Sequence, residues 1–381
     1  MASHGVHSPS VAIVIPSINE LANISAFKGR LASDKYDLKL LIIDEGDDNI
    51  RKKNEKILCD LPHAFYGRKE RAEWFSNRFG STYKRALSVI PNNCHAESSF
   101  GFLVAFEEEY DFVIELDDDV FPEQGDYLVD QHASNLFGKD GVSVFSENQW
   151  YNSLENLKLA RNGSIFPRGH PYTTDARTND YDWSNEGGEC ILNMGLWTGC
   201  LDLDALTILY HSGMNGKGAL CCDGLKREKV IVRKGTYSAT CSMNTSFCPQ
   251  IVPAFFQLHM NFMGIDRFDD IWSGLFVKKI ADHLGHKICL GKPLVNHDKR
   301  PRDTFKDLKK EIEGMIINEK LWVVVDEVSL SGENYSDAYL SLIEHLHRNL
   351  HRIAASPLQK KYLAHQCNQM LKWLRVIDRI N

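Results

Sequence analysis

The sequence predicts an open α/β sheet flanked by helices and followed by a C-terminal helical extension. Three observations carry that expectation. Three short apolar runs each stop at a polar or acidic loop, helical periodicity fills the stretch before the third run, and beyond Pro301 the chain turns charged, periodic and poor in glycine.

Residues 11–15 (VAIVI) are bulky, mostly β-branched and closed by Pro16, the pattern of a strand buried on both faces. Residues 38–43 form a second such strand ending in Asp44, Glu45, Gly46, Asp47 and Asp48, and residues 112–116 a third ending in Asp117, Asp118 and Asp119. In sheets of this class ligands bind outside the carboxyl ends of the strands, so those loops are the expected site. Residues 98–110 read as a helix through Phe102, Ala105 and Phe106. Residues 150–193 are rich in Asn, Gly, Asp and Tyr and weakly periodic, which predicts long functional loops. Residues 229–247 predict two strands around a turn at Lys234 and Gly235. Residues 268–284 predict a helix with Trp272, Leu275, Phe276, Ile280 and Leu284 on its apolar face, capped by Asp266 and stopped by Gly285. Residues 304–317, 336–353 and 357–380 predict further helices, bundled or wrapped around the sheet, which divides the chain into a domain over 1–302 and a helical region over 303–381.

Composition narrows the function classes. Of 381 residues, 43% are hydrophobic and 25% charged, which excludes disorder, collagen and coiled coil. Lys and Arg number 44 against 51 Asp and Glu, a net charge of −7 that argues against nucleic acid as a partner. Ten scattered cysteines with no framework spacing suit a reduced compartment. With a polar first ten residues and no run of 18 apolar ones, the expectation is a cytoplasmic protein without a transmembrane segment, at most peripheral to a membrane.

The chemistry concentrates in Asp117, Asp118 and Asp119. In extended backbone Asp117 and Asp119 project to one side and Asp118 to the other, and two carboxylates on one side share a hard cation. The bland alternative is a solvated acidic turn. Taken alone, the triplet also suits a phosphatase or nuclease with paired metals.

The order of features is similar to that of GT-A glycosyltransferases: an apolar first strand closed by a proline, a second ending in an acidic loop, then a D-x-D or DDD segment. The resemblance narrows further. Arg168-Gly-His-Pro-Tyr172, Gly195-Leu-Trp197, Asp202-Leu-Asp204-Ala205, the segment from Cys241 to Phe247, that from Arg267 to Gly274, and Asp282-His-Leu-Gly285 occur in order. They resemble the motifs of the reversibly glycosylated polypeptides, the family of UDP-arabinopyranose mutases, over roughly residues 11–300. Met194 and Ser242 depart from that pattern, standing where the family has histidine and glycine.

That resemblance implies a GT-A (nucleotide-diphospho-sugar transferase-like) open mixed sheet, a UDP-sugar substrate, a Mn or Mg ion, and homo- or hetero-oligomers. It implies Asp117, Asp119 and His297 as metal ligands, His297 being the late-loop histidine of such domains, with Lys299 and Arg300 beside the phosphates. The same resemblance implies nucleoside and sugar contacts at Pro16, Ser17, Asn19, Asp44, Glu45, Asp118 and Trp197. Asp269 and Asp270 open a helix, where the dipole alone favours carboxylates; their implied role is contact with the sugar or a base. Arg168 matches the arginine implicated as the family's glycosyl acceptor, although a protonated guanidinium is a poor nucleophile and a fixed cation for the diphosphate is the simpler role. Arg68 and Arg71 read as a solvated helix face. The leading function is a UDP-sugar mutase interconverting pyranose and furanose forms, with self-glycosylation as an accompanying step. The alternatives are a transferase to a polysaccharide or glycolipid, as in cell wall synthesis, and a non-catalytic sugar-nucleotide-binding subunit.

Overall fold

A computed structural model describes residues 8–123, 125, 127–159, 164–212, 221–298 and 303–381. Its strands are β1 (Ser10–Ser17), β2 (Asp37–Asp44), β3 (His63–Phe65), β4 (Phe112–Leu116), β5 (Val120–Pro122), β6 (Val142–Phe145), β7 (Leu157–Leu159), β8 (Asp182–Ser184), β9 (Leu192–Cys200), β10 (Cys221–Leu225), β11 (Lys229–Val232), β12 (Asn244–Phe247) and β13 (Ile288–His297). The helices are α1 (Ala22–Phe27), α2 (Asp48–Ile57), α3 (Arg68–Phe79), α4 (Tyr83–Leu87), α5 (Ser99–Glu107), α6 (Leu128–Phe137), α7 (Ala205–Ser212), α8 (Asp269–Leu284), α9 (Thr304–Glu327), α10 (Tyr335–Arg348), α11 (Leu350–Ile353) and α12 (Pro357–Ile380).

The strands join in one sheet of order β3-β2-β1-β4-β12-β9-β13-β11-β6-β8, with β5, β7 and β10 paired at its margins. The first four strands run parallel, and β12 enters antiparallel between β4 and β9. The result is the open mixed sheet, flanked by helices and followed by a helical extension, that the sequence led us to expect.

β1 shows why this segment takes the middle of the sheet. Ala12 and Val14 join the core on one face with α5 and α8, while Val11, Ile13 and Ile15 join the core on the other face with α1 and α6. Each buried Val or Ile contributes roughly 1.5–3 kcal/mol, and a strand apolar on both faces is stable only when covered on both.

The helices after residue 303 wrap onto the first of these cores and do not bundle apart from it. Trp373 of α12 stacks on Phe256 at 5.0 Å and its indole N–H donates to the Val252 carbonyl at 3.1 Å. Gly314 of α9 lies so close to Phe268 that a Cβ there would meet the ring at 2.3 Å. None of the described helices is long and apolar enough to cross a membrane.

Four local expectations need correction. β11 and β12 are not a hairpin, because β11 pairs with β13 and β6 while β12 pairs with β4 and β9. Asp266 does not cap α8; the N-cap is Phe268, and Arg267, at φ 69°, turns Asp266 away to accept from Lys310 Nζ at 3.0 Å. The stretch expected as one helix over 336–353 is two, α10 and α11, split at Asn349. Asp117, Asp118 and Asp119 form a turn between β4 and β5, not an extended end of the strand.

Candidate active site

The turn after β4 parts its three carboxylates even so. Asp118 leans toward β1 and accepts from Ser17 Oγ at 2.6 Å and Asn19 Nδ2 at 3.0 Å. Asp117 and Asp119 line a cleft of about 180 Å³ together with His95, Arg168, Asp202, Ser242, Asp269, Asp270 and His297. The sidedness expected of an extended chain therefore holds, but pairing with distant strands produces it. The Asp117 N–H donates to the Met243 carbonyl just before β12 at 3.0 Å, and the Asp298 N–H donates to the Asp119 carbonyl at 3.1 Å. The second bond continues the β5–β13 ladder, in which Val120 stands opposite His297.

That ladder sets the His297 ring against the acidic turn, with Nε2 at 3.9 Å from Asp119 Oδ2. Nδ1 lies 2.8 Å from the Cys200 carbonyl oxygen, which only accepts, so Nδ1 carries the hydrogen. In the neutral imidazole Nε2 then keeps its lone pair on the cleft side, the arrangement of a histidine ligand with its supporting carbonyl. Among the described residues no three His, Cys, Asp or Glu side chains converge as a preformed metal cage.

His95, from the loop before α5, bridges the two acidic walls. Its Nε2 is 3.1 Å from Asp117 Oδ1 and its Nδ1 is 3.2 Å from Asp269 Oδ2. Burial works against a charge on the ring, but the Asp117 carboxylate and then Asp269 outweigh it and push the pKa well above the ordinary histidine value. Behind His95, the fully buried Glu115 accepts from Gln257 Nε2 at 2.9 and 2.8 Å. Burial raises its pKa to about 8.

Arg168 is held from three sides. Asp202 accepts from its Nε at 3.1 Å and Nη2 at 2.9 Å, Asp270 accepts from Nη2 at 3.3 Å, and the Arg267 carbonyl accepts from Nη1. Burial opposes the charge, and the Asp202 and Asp270 carboxylates outweigh it, so its pKa lies well above the free value. Gly169 permits the placement: its φ is +88°, and a Cβ would meet Ile271 of α8 at 2.5 Å. Arg267, whose φ of 69° aims its carbonyl, is in turn anchored by the fully buried Glu311 of α9 at 2.5 Å. The C-terminal helices thus buttress the cleft.

Asp269 and Asp270 open α8, 5% and 4% exposed. For Asp269, burial raises the pKa but the His95 hydrogen bond and charge bring it below the usual carboxylate value. For Asp270, burial dominates, Arg168 opposes it and Asp269 adds repulsion, leaving a carboxyl at about 6. The Ser242 N–H donates to Asp270 at 3.3 Å, which places one departure from the family pattern at the cleft. The other, Met194, lies behind it in the core, with its sulfur accepting from the Cys241 N–H at 3.2 Å.

On the β1–β2 side, Pro16 is buried in β1 and Asp44 at the end of β2, where burial raises the Asp44 pKa. Glu45 accepts from Arg68 at 2.6 Å and from Arg71, and those cations overcome burial to lower its pKa. Arg71 is 1% exposed between Glu45 and Glu97, which corrects the expectation of a solvated face; Arg68 remains exposed. Trp197, expected at the substrate, is 1% exposed in the apolar core and does not line the cleft. Lys299, Arg300 and the neighbouring Arg302 lie outside the described residues. A larger cavity of about 500 Å³, between β13 and α6, contains none of the residues proposed for catalysis or metal binding.

Sequence reasoning missed His95, Glu311 and the role of Asp202. Asp202 had a signal, since it opens one of the family-like segments and a buried arginine needs a carboxylate. His95 and Glu311 had none, because each acts across a long gap in the chain.

The family model of the reversibly glycosylated polypeptides matches residues 7–381, and the chain belongs to that family. UDP-arabinopyranose mutase 1 of Oryza sativa subsp. japonica is 26% identical over 378 residues, spanning 97% of this chain and 90% of its own. UDP-arabinopyranose mutase 3 of Arabidopsis thaliana is 26% identical over 97% of this chain and 91% of its own. Among solved structures, a mannosyltransferase from Pyrobaculum calidifontis in complex with GDP-Man and Mn2+ overlaps 98% of this chain and 74% of its own, at 10% identity and a TM-score of 0.35.

Proposed function

We propose that this member of the reversibly glycosylated polypeptides is a UDP-sugar mutase that interconverts pyranose and furanose forms of a nucleotide-bound sugar. The names of its relatives support that reading. The observation that carries it is the cleft itself, in which Arg168, clamped by Asp202 and Asp270, shares one small space with Asp117, Asp119 and His297.

Asp117, Asp119 and the Nε2 lone pair of His297 suit a hard divalent cation, and an incomplete protein cage is what Mg2+ or Mn2+ uses when substrate phosphates complete it. Held there, such an ion would supply positive charge for the diphosphate as the anomeric C–O bond breaks and its electron pair leaves with UDP. Ser17, Asn19 and Asp118 form one hydrogen-bonded group on the nucleoside side, beside Asp44 and Glu45. The sugar hydroxyl that becomes the new ring oxygen bonds to C1 as Asp270, a carboxyl at about 6, takes its proton; the old bond from C1 to the ring oxygen breaks, that oxygen receives the proton back from Asp270, and the departed diphosphate oxygen re-forms its bond to C1. Arg168 has four of its five N–H groups bonded to two carboxylates and a carbonyl, which favours a fixed cation over a glycosylated nucleophile.

Incubation with Mn2+ and labelled UDP-arabinopyranose, UDP-glucose or UDP-galactose tests this. Ring-contracted nucleotide sugar is the expected product, with no label on Arg168 by peptide mass spectrometry. Free UDP with label on an added acceptor would establish a transferase, and absence of donor binding with metal present would overturn the enzyme reading.

A further inference from the structure

Away from the cleft, α3, α4 and α12 enclose a groove of about 400 Å³ lined by Phe79, Thr82, Arg85 and Ala86 on one wall and by Lys372, Arg375, Val376 and Arg379 on the other. The four α12 residues fall at i, i+3, i+4 and i+7, so one face of the helix supplies that wall. Phe79, Ala86 and the buried Val376 make an apolar floor, while Arg85, Arg375 and Arg379 are exposed around it. No carboxylate lines the groove, in a chain whose net charge is −7. The contrast with the adjoining cation is sharp. Arg78 is paired with Glu107 at 2.5 Å, whereas none of Arg85, Lys372, Arg375 and Arg379 forms an ion pair among the described residues. Lys372 donates only to Ser88 Oγ, at 3.4 Å, and Asp378 lies at a different cavity with His286 and Tyr335.

We infer that this groove is a docking site for an acidic segment of a partner protein, with one apolar side chain on the floor and carboxylates to either side of it. Four cations without counter-charges around a three-residue apolar floor are complementary to that pattern, and clusters of arginine are the usual readers of acidic motifs. A bilayer surface fits less well. The cations surround a concavity, and among the described residues none of the large exposed apolar side chains belongs to the groove, so none of them is placed to insert among lipids there.

The test uses the full chain and an array of short synthetic peptides that vary in the number of Asp and Glu residues and in the presence of one central Leu. Binding is expected to rise with acidic content, to require the Leu, and to weaken with salt. In fluorescence polarisation the best peptide should lose about tenfold or more in affinity for the Arg375→Glu, Arg379→Glu double variant. Arg85→Glu on the opposite wall should give a smaller loss in the same direction, and turnover of UDP-sugar should be unchanged in both. Binding that ignores acidic content, equal binding to the double variant, or preferential binding to phosphatidylcholine–phosphatidylserine vesicles or to single-stranded RNA would each overturn the inference.

Discussion

On the β1–β2 side of the turn after β4, the carboxylates lie against groups of the fold itself. Glu45 is held by Arg68 and Arg71, Glu97 lies against Arg71 at 3.5 Å, and Asp118 accepts from Ser17 and Asn19. On the β9–β13 side, Asp117, Asp119, Asp202, Asp266, Asp269 and Asp270 share one cleft with Arg168, Arg267, His95 and His297, and His95, whose pKa is pushed well above the ordinary value, adds to the positive charge of the two arginines. The first cluster pairs its carboxylates with two arginines and with hydroxyl and amide donors of β1 and the loop after it. The second carries an excess of negative charge in a partly dry space, which is where added positive charge is most strongly favoured. The two acidic loops, alike in sequence, thus differ in the structure: Glu45 of the first lies between two arginines, while the second turns Asp118 toward β1 and Asp117 and Asp119 into the cleft.

The largest effect should come from breaking the first cluster. Arg71→Met leaves Glu45 and Glu97 buried against each other and is expected to destabilise the fold by about 3–5 kcal/mol in urea denaturation. A loss well under that would mean the cluster does not support the fold. Opening the other side should act on ligand rather than on fold. Asp119→Asn is expected to weaken Mn2+-dependent UDP-sugar binding by about a hundredfold or more in calorimetry, with an unchanged urea midpoint. Equal affinity would remove the metal from this cleft.

A pH profile gives a smaller, graded effect. With Asp270 as the proposed base in its carboxylate form, and burial holding its pKa up at about 6, turnover is expected to climb as pH rises through about 6 and then level off. Asp270→Asn should lower the plateau and abolish that limb; a limb that survives belongs to another group. Smallest of all, Ser17→Ala removes one bond to Asp118 worth about 1 kcal/mol, so donor affinity should fall about fivefold without change in kcat. A much larger loss would move the nucleoside side from scaffold to catalytic machinery.

Legibility in the sequence followed the range of the interaction. β1, β2, β4 and α12 lie close to where apolar patterning predicts them, because a strand buried on both faces and an amphipathic helix are written in consecutive residues. Residues 229–247 show the opposite case: the two strands and the turn at Gly235, at φ +79°, are present, but which strands they pair with is chosen by partners far away in the chain. In the site, the acidic turn, His297, Arg168 and the aspartates of α8 were readable from residue type and family-like spacing. Trp197 was misplaced because a motif does not say which side of a strand faces the core.

The order of apolar runs and acidic loops by itself determined that this chain builds an open sheet with a polar carboxyl edge, since burial of β-branched runs and exclusion of carboxylates from the core follow from local composition. Tertiary structure alone decided which carboxylates stay available. It brought Arg71 to Glu45 and Asp202 to Arg168, set His95 between Asp117 and Asp269, and carried Glu311 of α9 to Arg267. Charge pairing depends on distances of a few ångströms in space, and those distances are fixed by strand order and packing rather than by position along the chain.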